Sequence, residues 1–141
     1  MTKQSTFPAP IGGLYHDEMW AHIGSENFSL QCCGSCGQFR YPPGPACPIC
    51  LSFEYTWNPV SGKGKIISWV IFHKGYLDSY PAPYNVIAVR LAEGPTMISN
   101  LIGPKPSGSW IGHPIELVYE MVQDGGVLPR FRLSGDGEGA L

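Results

Sequence analysis

The chain of 141 residues is 43% hydrophobic, 12% aromatic and only 14% charged, with a net charge of −2. So many aromatics exclude a mainly disordered chain, and so weak an acidic balance excludes a protein held to nucleic acid or anionic lipid by bulk charge. The 18 glycines and 14 prolines exclude a bundle of long helices, because each breaks or weakens helical backbone.

Met1 to Pro8 lack the apolar run of a secretory signal, and no window approaches the ~18 consecutive apolar residues of a membrane span. A cytoplasmic location without a membrane partner is expected, and in that reducing compartment clustered cysteines favour metal over disulfides. Residues 14–31 are the one stretch compatible with a helix. Leu14, Trp20 and Ile23 share a face there, Asp17 and Glu18 fall on another, and Gly24 supplies a stop. Such a helix packs on a core or forms an interface. Residues 32–50 hold all five cysteines among Pro42, Pro43, Pro45 and Pro48, which leaves room for nothing longer than a short strand.

From Gly64 the texture turns to strands. Lys65 to Phe72 places Ile67, Trp69 and Ile71 on one face, and Asn85 to Leu91 places Ile87, Val89 and Leu91 on one apolar face. Glu93-Gly94-Pro95 is a turn before a returning strand, Thr96 to Ile102. Ile115 to Glu120 then points Ile115, Leu117 and Tyr119 inward, and Asp124-Gly125-Gly126 turns the chain into a last strand, Leu128 to Leu133. Five short strands suit a small closed barrel of the OB type, because closure removes exposed sheet edges. The reading is a mainly β chain: an N-terminal tail and helical segment (1–31), a rubredoxin-like ribbon (32–58), a five-stranded OB-fold barrel (59–133) and a disordered tail (134–141).

Cys33-x-x-Cys36 and Cys47-x-x-Cys50 form two like pairs with ten residues between them. Each pair can wrap a metal in a tight knuckle, and four thiolates around one ion describe a closed structural zinc site, one per chain. Iron is the less favoured alternative, since tetrahedral sulfur suits both metals. Cys32 is the alternative to Cys33, but Cys33 makes the knuckles alike and leaves Cys32 as a small buried residue. His16-x-Glu18 with Cys47-x-x-Cys50 echoes a zinc deaminase, but Ala46 stands where that signature has Pro, and Cys33 and Cys36 are left unexplained.

Other chemistry is thin. Gly62-Lys63-Gly64-Lys65 has the composition of a phosphate cradle, although entry into the first barrel strand explains it better. His73 and His113 have no acid partner in sequence, and no nucleophile elbow or Walker loop is present. No catalytic residue is assigned.

The order of helix, four-cysteine ribbon and barrel resembles the zinc-ribbon plus OB-fold family known as domain of unknown function number thirty-five. The likeness lies in Leu30 to Gly37, Tyr41-Pro42-Pro43, Cys47-Pro48-x-Cys50, Ser61 to Ser68, Pro83 to Ala88, Leu91-x-Glu93-Gly94 and Gly112 to Ile115. It implies a non-catalytic subunit in a hetero-oligomer with a thiolase-like enzyme (thiolase, aldolase or acyltransferase) or a hot-dog-fold hydratase of lipid or steroid metabolism. It also implies that helix and ribbon dock on the partner while the barrel shapes an acyl-CoA channel, with a CoA thioester as the small-molecule contact. Trp20 is the expected docking anchor, and Lys74 and Tyr76, in the aromatic segment Phe72 to Tyr84, are the expected ligand contacts. Of Trp20, Phe28, Phe39, Tyr41 and Phe53, some should remain exposed, because a barrel this small has a limited core. The alternative is a single-stranded nucleic-acid binder stacking bases on Tyr76, Tyr80 and Trp69. The net charge and scattered basic residues argue against it, so no nucleic-acid partner is expected.

Overall fold

The structure is a computed structural model, and it describes residues 8, 10, 12–122 and 126–135. The expected turn at Asp124-Gly125 and the tail from Asp136 onward lie outside these residues, as does most of the N-terminal tail.

Helix α1 spans His16–Gly24, with Asp17 and Glu18 in its first turn, where they complement the helix dipole. Its buried pair is Met19 and Ile23, one helical turn apart. The expected sharing of a face by Leu14 is corrected: Leu14 precedes the helix and is exposed, while Trp20 packs half-buried at the edge of the core. The remainder of 14–31 is not helical. Ser29–Cys33 forms β1, which pairs antiparallel with β2 (Phe39–Arg40) and with β3 (Tyr55–Pro59) in the order β2-β1-β3. Strand β3 was not anticipated, although its Tyr-Thr-Trp run is rich in strand formers.

The second sheet contains β4 (Lys63–Phe72), β5 (Tyr84–Leu91), β6 (Thr96–Ser99), β7 (Pro114–Met121) and β8 (Val127–Leu133), ordered β6-β5-β4-β7-β8. It curls until its edges meet, where Leu101 bridges Phe131 in parallel and the Ile102 N–H donates to the Phe131 carbonyl at 2.8 Å. That is the OB-fold arrangement expected from the strand count. The return strand β6 ends at Ser99 rather than Ile102, because Asn100 and Leu101 turn away to make this seam.

In β4 the inward set differs from simple alternation. Ile66 pairs with Val89 and Ser68 with Ala88, so Ile67 is the extra residue of a bulge. One inserted residue turns the following side chains onto the other face. Ile66 therefore points into the core with Trp69 and Ile71, and Ile67 is exposed. Two glycines at the start of β4 are steric requirements. A Cβ on Gly64 would lie 2.5 Å from the Arg90 carbonyl, and Gly62 has φ +79° with Leu117 Cβ 2.9 Å from where its own would be. The Gly62-Lys63-Gly64-Lys65 run is thus a crossing of strands, not a phosphate cradle.

One apolar core joins helix, ribbon and barrel: Met19, Ile23, Phe28 and Leu30 pack in the same cluster as Ile66, Ile87, Val89, Leu91, Ile115 and Phe131. Fully buried side chains of this size contribute roughly 1.5–3 kcal/mol each. The Tyr119 hydroxyl accepts the Phe28 N–H at 2.8 Å, fastening the segment before β1 to the barrel. No helix among the described residues is long and apolar enough to cross a membrane.

Candidate metal centre and its surroundings

Two turns repeat the same backbone plan. After β1, the Cys33 N–H donates to Gln38 O at 2.9 Å and Gly37 N–H returns to Cys33 O at 3.0 Å. In the second turn, Cys47 N–H donates to Ser52 O at 2.9 Å and Leu51 N–H returns to Cys47 O at 2.9 Å. Gly37 (φ 77°) and Leu51 (φ 67°) occupy the same left-handed position. Amides point at sulfur in both: Ser35 and Cys36 N–H reach Cys33 Sγ at 3.4 and 3.5 Å, and Ile49 N–H reaches Cys47 Sγ at 3.4 Å. The Ser35 and Ser52 hydroxyls join the turns at 2.9 Å.

The loop between the knuckles is pinned from below. Gln31, fully buried on β1, donates from Nε2 to Gly44 O at 3.0 Å and accepts the Gly44 N–H on Oε1 at 2.7 Å. Arg40 Nη1 adds a bond to the same carbonyl at 3.2 Å, with its guanidinium 5.4 Å from the Tyr55 ring centre. A proline-rich loop has few backbone donors of its own, so a buried side-chain amide sets its path.

The result brings together the sulfurs of Cys33, Cys36, Cys47 and Cys50, all within 4.8 Å of one another. Cys33 and Cys50 are 3.5 Å apart and Cys36 and Cys47 3.6 Å. A tetrahedron with metal–sulfur bonds of about 2.3 Å has sulfurs about 3.8 Å apart, so the four thiols fit one ion. Hydrogen bonds from the Cys36 and Ser35 amides hold the Cys33 thiol down to about 6, and those from Cys50 and Ile49 likewise lower Cys47. The Gln38 amide pulls Cys36 the same way, but burial and the sulfurs of Cys47, Cys50 and Cys33 together push it up to about 12. Four adjacent thiols cannot all ionise without a cation among them, and the chemistry of this donor set calls for one.

Cys32 stands apart, its Sγ 3.4 Å from Gly37 O, because neighbouring residues of a strand point to opposite faces. Among the described residues no His, Asp or Glu joins the cluster, so the deaminase arrangement with His16 and Glu18 is not formed. Among the described residues neither His73 nor His113 makes an ion pair.

The other expected site residues are dispersed. Trp20 lines a cavity beside the barrel with Tyr41, Tyr80, Tyr84, Met97 and Arg130. Tyr76 is 65% exposed on the 72–84 segment, and Lys74 Nζ lies 5.6 Å from its ring centre, away from that cavity. Trp69 stacks on Trp110 at 4.5 Å against the core, which removes it as a platform for bases. Of the five aromatics expected to exceed the core, Phe28 is buried and Trp20, Phe39 and Tyr41 pack against its margin, since helix and ribbon share the core. Phe53 is 76% exposed, and with Ile49 (70%) and Leu51 (72%) it gives the second knuckle an apolar exterior. The cavity wall and the exposed Ile49 and Leu51 of this knuckle were missed in the sequence, whereas Phe53 is among the aromatics of which some were expected to be exposed. The repeated spacing of Ile49, Leu51 and Phe53 around Cys50 was the available signal for the knuckle surface.

Comparison with known proteins fits this geometry. The family described as the ChsH2 rubredoxin-like zinc ribbon domain matches residues 20–56, and the ChsH2 C-terminal OB-fold domain matches residues 57–120. A probable enoyl-CoA hydratase alpha subunit of Thermomonospora curvata is 35% identical over 103 residues, covering 73% of this chain and 32% of that protein. The chain thus spans about a third of that relative's length. A DUF35 domain-containing scaffold protein of Methanocaldococcus jannaschii is 30% identical over 121 residues, 80% of this chain and 85% of its own. The solved structure of an Ltp2-ChsH2(DUF35) aldolase contains a similar chain at TM-score 0.81 and 30% identity, covering 89% of this chain and 98% of that one. With ribbon and OB-fold matched in the same order, and with likeness running over most of the scaffold relative, this chain belongs to the ChsH2-type zinc-ribbon and OB-fold family, DUF35.

Proposed function

We propose that the chain is a non-catalytic accessory subunit of an acyl-CoA enzyme, of the thiolase-like or hydratase type, in a cytoplasmic hetero-oligomer. The single observation that carries this reading is the second knuckle, where Ile49, Leu51 and Phe53 are exposed around a rigid cluster of thiols. Three large apolar side chains exposed within five residues of one turn mark a candidate interface. The relatives are named as a hydratase subunit, a scaffold protein and part of an aldolase, which supplies the class of partner.

In this reading Cys33, Cys36, Cys47 and Cys50 hold one zinc per chain, which stiffens the docking surface and leaves no ligand position for a reacting water. Iron is disfavoured on the absence of any redox role in the proposed assembly. The helical segment within 1–31 and the ribbon (32–58) dock, and the barrel (59–133) faces the ligand. Trp20 lies where docking helix and barrel meet, while Lys74 and Tyr76 meet the polar end of a CoA thioester at the tip of the aromatic segment. The test is gel filtration and calorimetry of the zinc-loaded chain with a candidate acyl-CoA enzyme encoded beside it. A stable complex that is weakened about thirtyfold in the double variant Ile49→Ser, Phe53→Ser with zinc retained supports the reading. Turnover of acyl-CoA by the isolated chain would overturn it.

A further inference from the structure

An arginine stands buried in the ribbon without a counter-charge. Arg40, on β2, is only 4% exposed, and among the described residues the arginines in ion pairs are Arg130 and Arg132. Arginine is rarely buried unless paired, because an uncompensated charge in a weakly polar interior is costly. We propose that Arg40 is a receptor for a carboxylate, supplied by an aspartate or glutamate side chain of the enzyme partner. The proposal rests on the accessory-subunit reading for the source of the acid, and on the guanidinium alone for its chemistry.

The nitrogens left over define that chemistry. Nη1 donates to the Gly44 carbonyl at 3.2 Å, and the guanidinium carbon lies 5.4 Å from the centre of the Tyr55 ring. Nε and Nη2 are buried and have no hydrogen-bond partner among the described residues. These two nitrogens form one edge of the guanidinium, where their N–H bonds run parallel and match the two oxygens of a carboxylate. The neighbouring side-chain acceptor, Gln31 on the paired strand, has its Oε1 on the Gly44 N–H at 2.7 Å. A single carbonyl would satisfy one donor of this edge. A carboxylate satisfies both and also the charge.

The position of the guanidinium suits a docked protein. The bonds that hold residues 42–45 to the sheet converge on Gly44, and Pro42 and Pro45 on either side are exposed. An incoming side chain that displaces these flanks reaches Arg40 without breaking a strand pair. Tyr55, whose ring lies against the guanidinium, follows the exposed Phe53 by two residues, which sets the charge beside the apolar knuckle assigned to docking. An acid at the border of an apolar contact loses water as the contact forms, and its pairing with a buried cation is then strong.

The experiment combines thermal melts of the zinc-loaded chain with calorimetry against the candidate acyl-CoA enzyme encoded beside it. Arg40→Met keeps an apolar stem and removes the charge, whereas Arg40→Lys keeps the charge and loses the parallel N–H edge. Both should weaken the complex about thirtyfold, as on truncating one side of a buried charge pair, with zinc content unchanged. In the isolated chain Arg40→Met should leave the melting temperature unchanged or raise it, since it removes an unpaired buried charge. These opposite signs separate a receptor from an arginine that only supports the ribbon. The inference is overturned if Arg40→Met lowers the melting temperature of the isolated chain, or if Arg40→Lys binds the enzyme as tightly as the unaltered chain. It is equally overturned if Asp136→Asn with Glu138→Gln lowers the melting temperature of the otherwise unaltered chain but not of the Arg40→Met chain, since the acid is then this chain's own. A complex left intact by both Arg40 substitutions sinks the inference and spares the accessory-subunit reading. Failure of the unaltered chain to form any complex sinks both.

Discussion

The two knuckles make the same backbone hydrogen bonds and present opposite exteriors. Around Cys33 and Cys36 stand Gly34, Ser35 and Gly37; around Cys47 and Cys50 stand Pro48, Ile49, Leu51 and, two residues on, Phe53. Gly37 takes its left-handed backbone at no steric cost, whereas Leu51 takes the same conformation against a penalty of about 1–2 kcal/mol. Thiol geometry requires only the turn, so the side chains projecting from it are available for another purpose. The polar knuckle joins its neighbour through the Ser35–Ser52 hydroxyl pair, and the apolar one carries the surface suited to docking.

The largest effect should come from breaking what the knuckles share. Cys36→Ser and Cys47→Ser should each abolish metal binding and unfold the ribbon, because structural zinc supplies on the order of 10 kcal/mol of folding energy. Elemental analysis and circular dichroism check this, and a chelator should reproduce it in the unaltered chain. Should only one of the pair lose metal, the two turns would not serve a common ion.

Docking should distinguish the knuckles next. Ile49→Ser with Phe53→Ser should weaken the partner complex by about 2 kcal/mol with zinc content unchanged, as for central apolar anchors. Ser35→Ala, on the polar knuckle, should leave affinity within measurement error. Equal losses from both sites would mean that the ribbon docks as a whole and that the contrast in exterior is incidental.

Backbone substitutions come third. Gly37→Ala should destabilise the ribbon by about 1 kcal/mol, whereas Leu51→Gly should be neutral or slightly stabilising, strain relief being offset by unfolded-state entropy. Thermal melts at fixed zinc would show this, and a destabilised Leu51→Gly chain would mean that Leu51 packs on something its exposure does not reveal. Smallest of all, Cys32→Ser should leave metal content unchanged, since Cys32 Sγ points to the Gly37 carbonyl and is not part of the thiol cluster. Loss of metal in that variant would shift the ligand set by one residue.

Much of the fold was legible because it depends on local spacing. The pairing of Cys33 with Cys36 and of Cys47 with Cys50 follows from turns closed within five residues, and the inward face of β5 follows from alternation. Strand β3 escaped notice because its five residues pair only with β1, across the whole ribbon. The reversal of faces in β4 escaped because a bulge depends on register with the neighbouring strand, and Ile66, Ile67 and Ser68 carry no mark of it.

What the sequence determined by itself was therefore the chemistry of short range: the thiol knuckles, the position of the helix and the number of barrel strands. What only the tertiary structure decided was the fate of side chains whose neighbours lie far along the chain. Phe28 is buried because α1, β1 and the barrel share one core, Trp20 lines a cavity whose other walls come from residues 41 to 130, and Arg130 is paired with the Glu120 carboxylate and hydrogen-bonded to the Tyr80 hydroxyl. Burial and charge pairing are properties of space rather than of spacing. A residue's chemistry can be read from its type, but whether that chemistry remains available depends on what the folded chain sets against it.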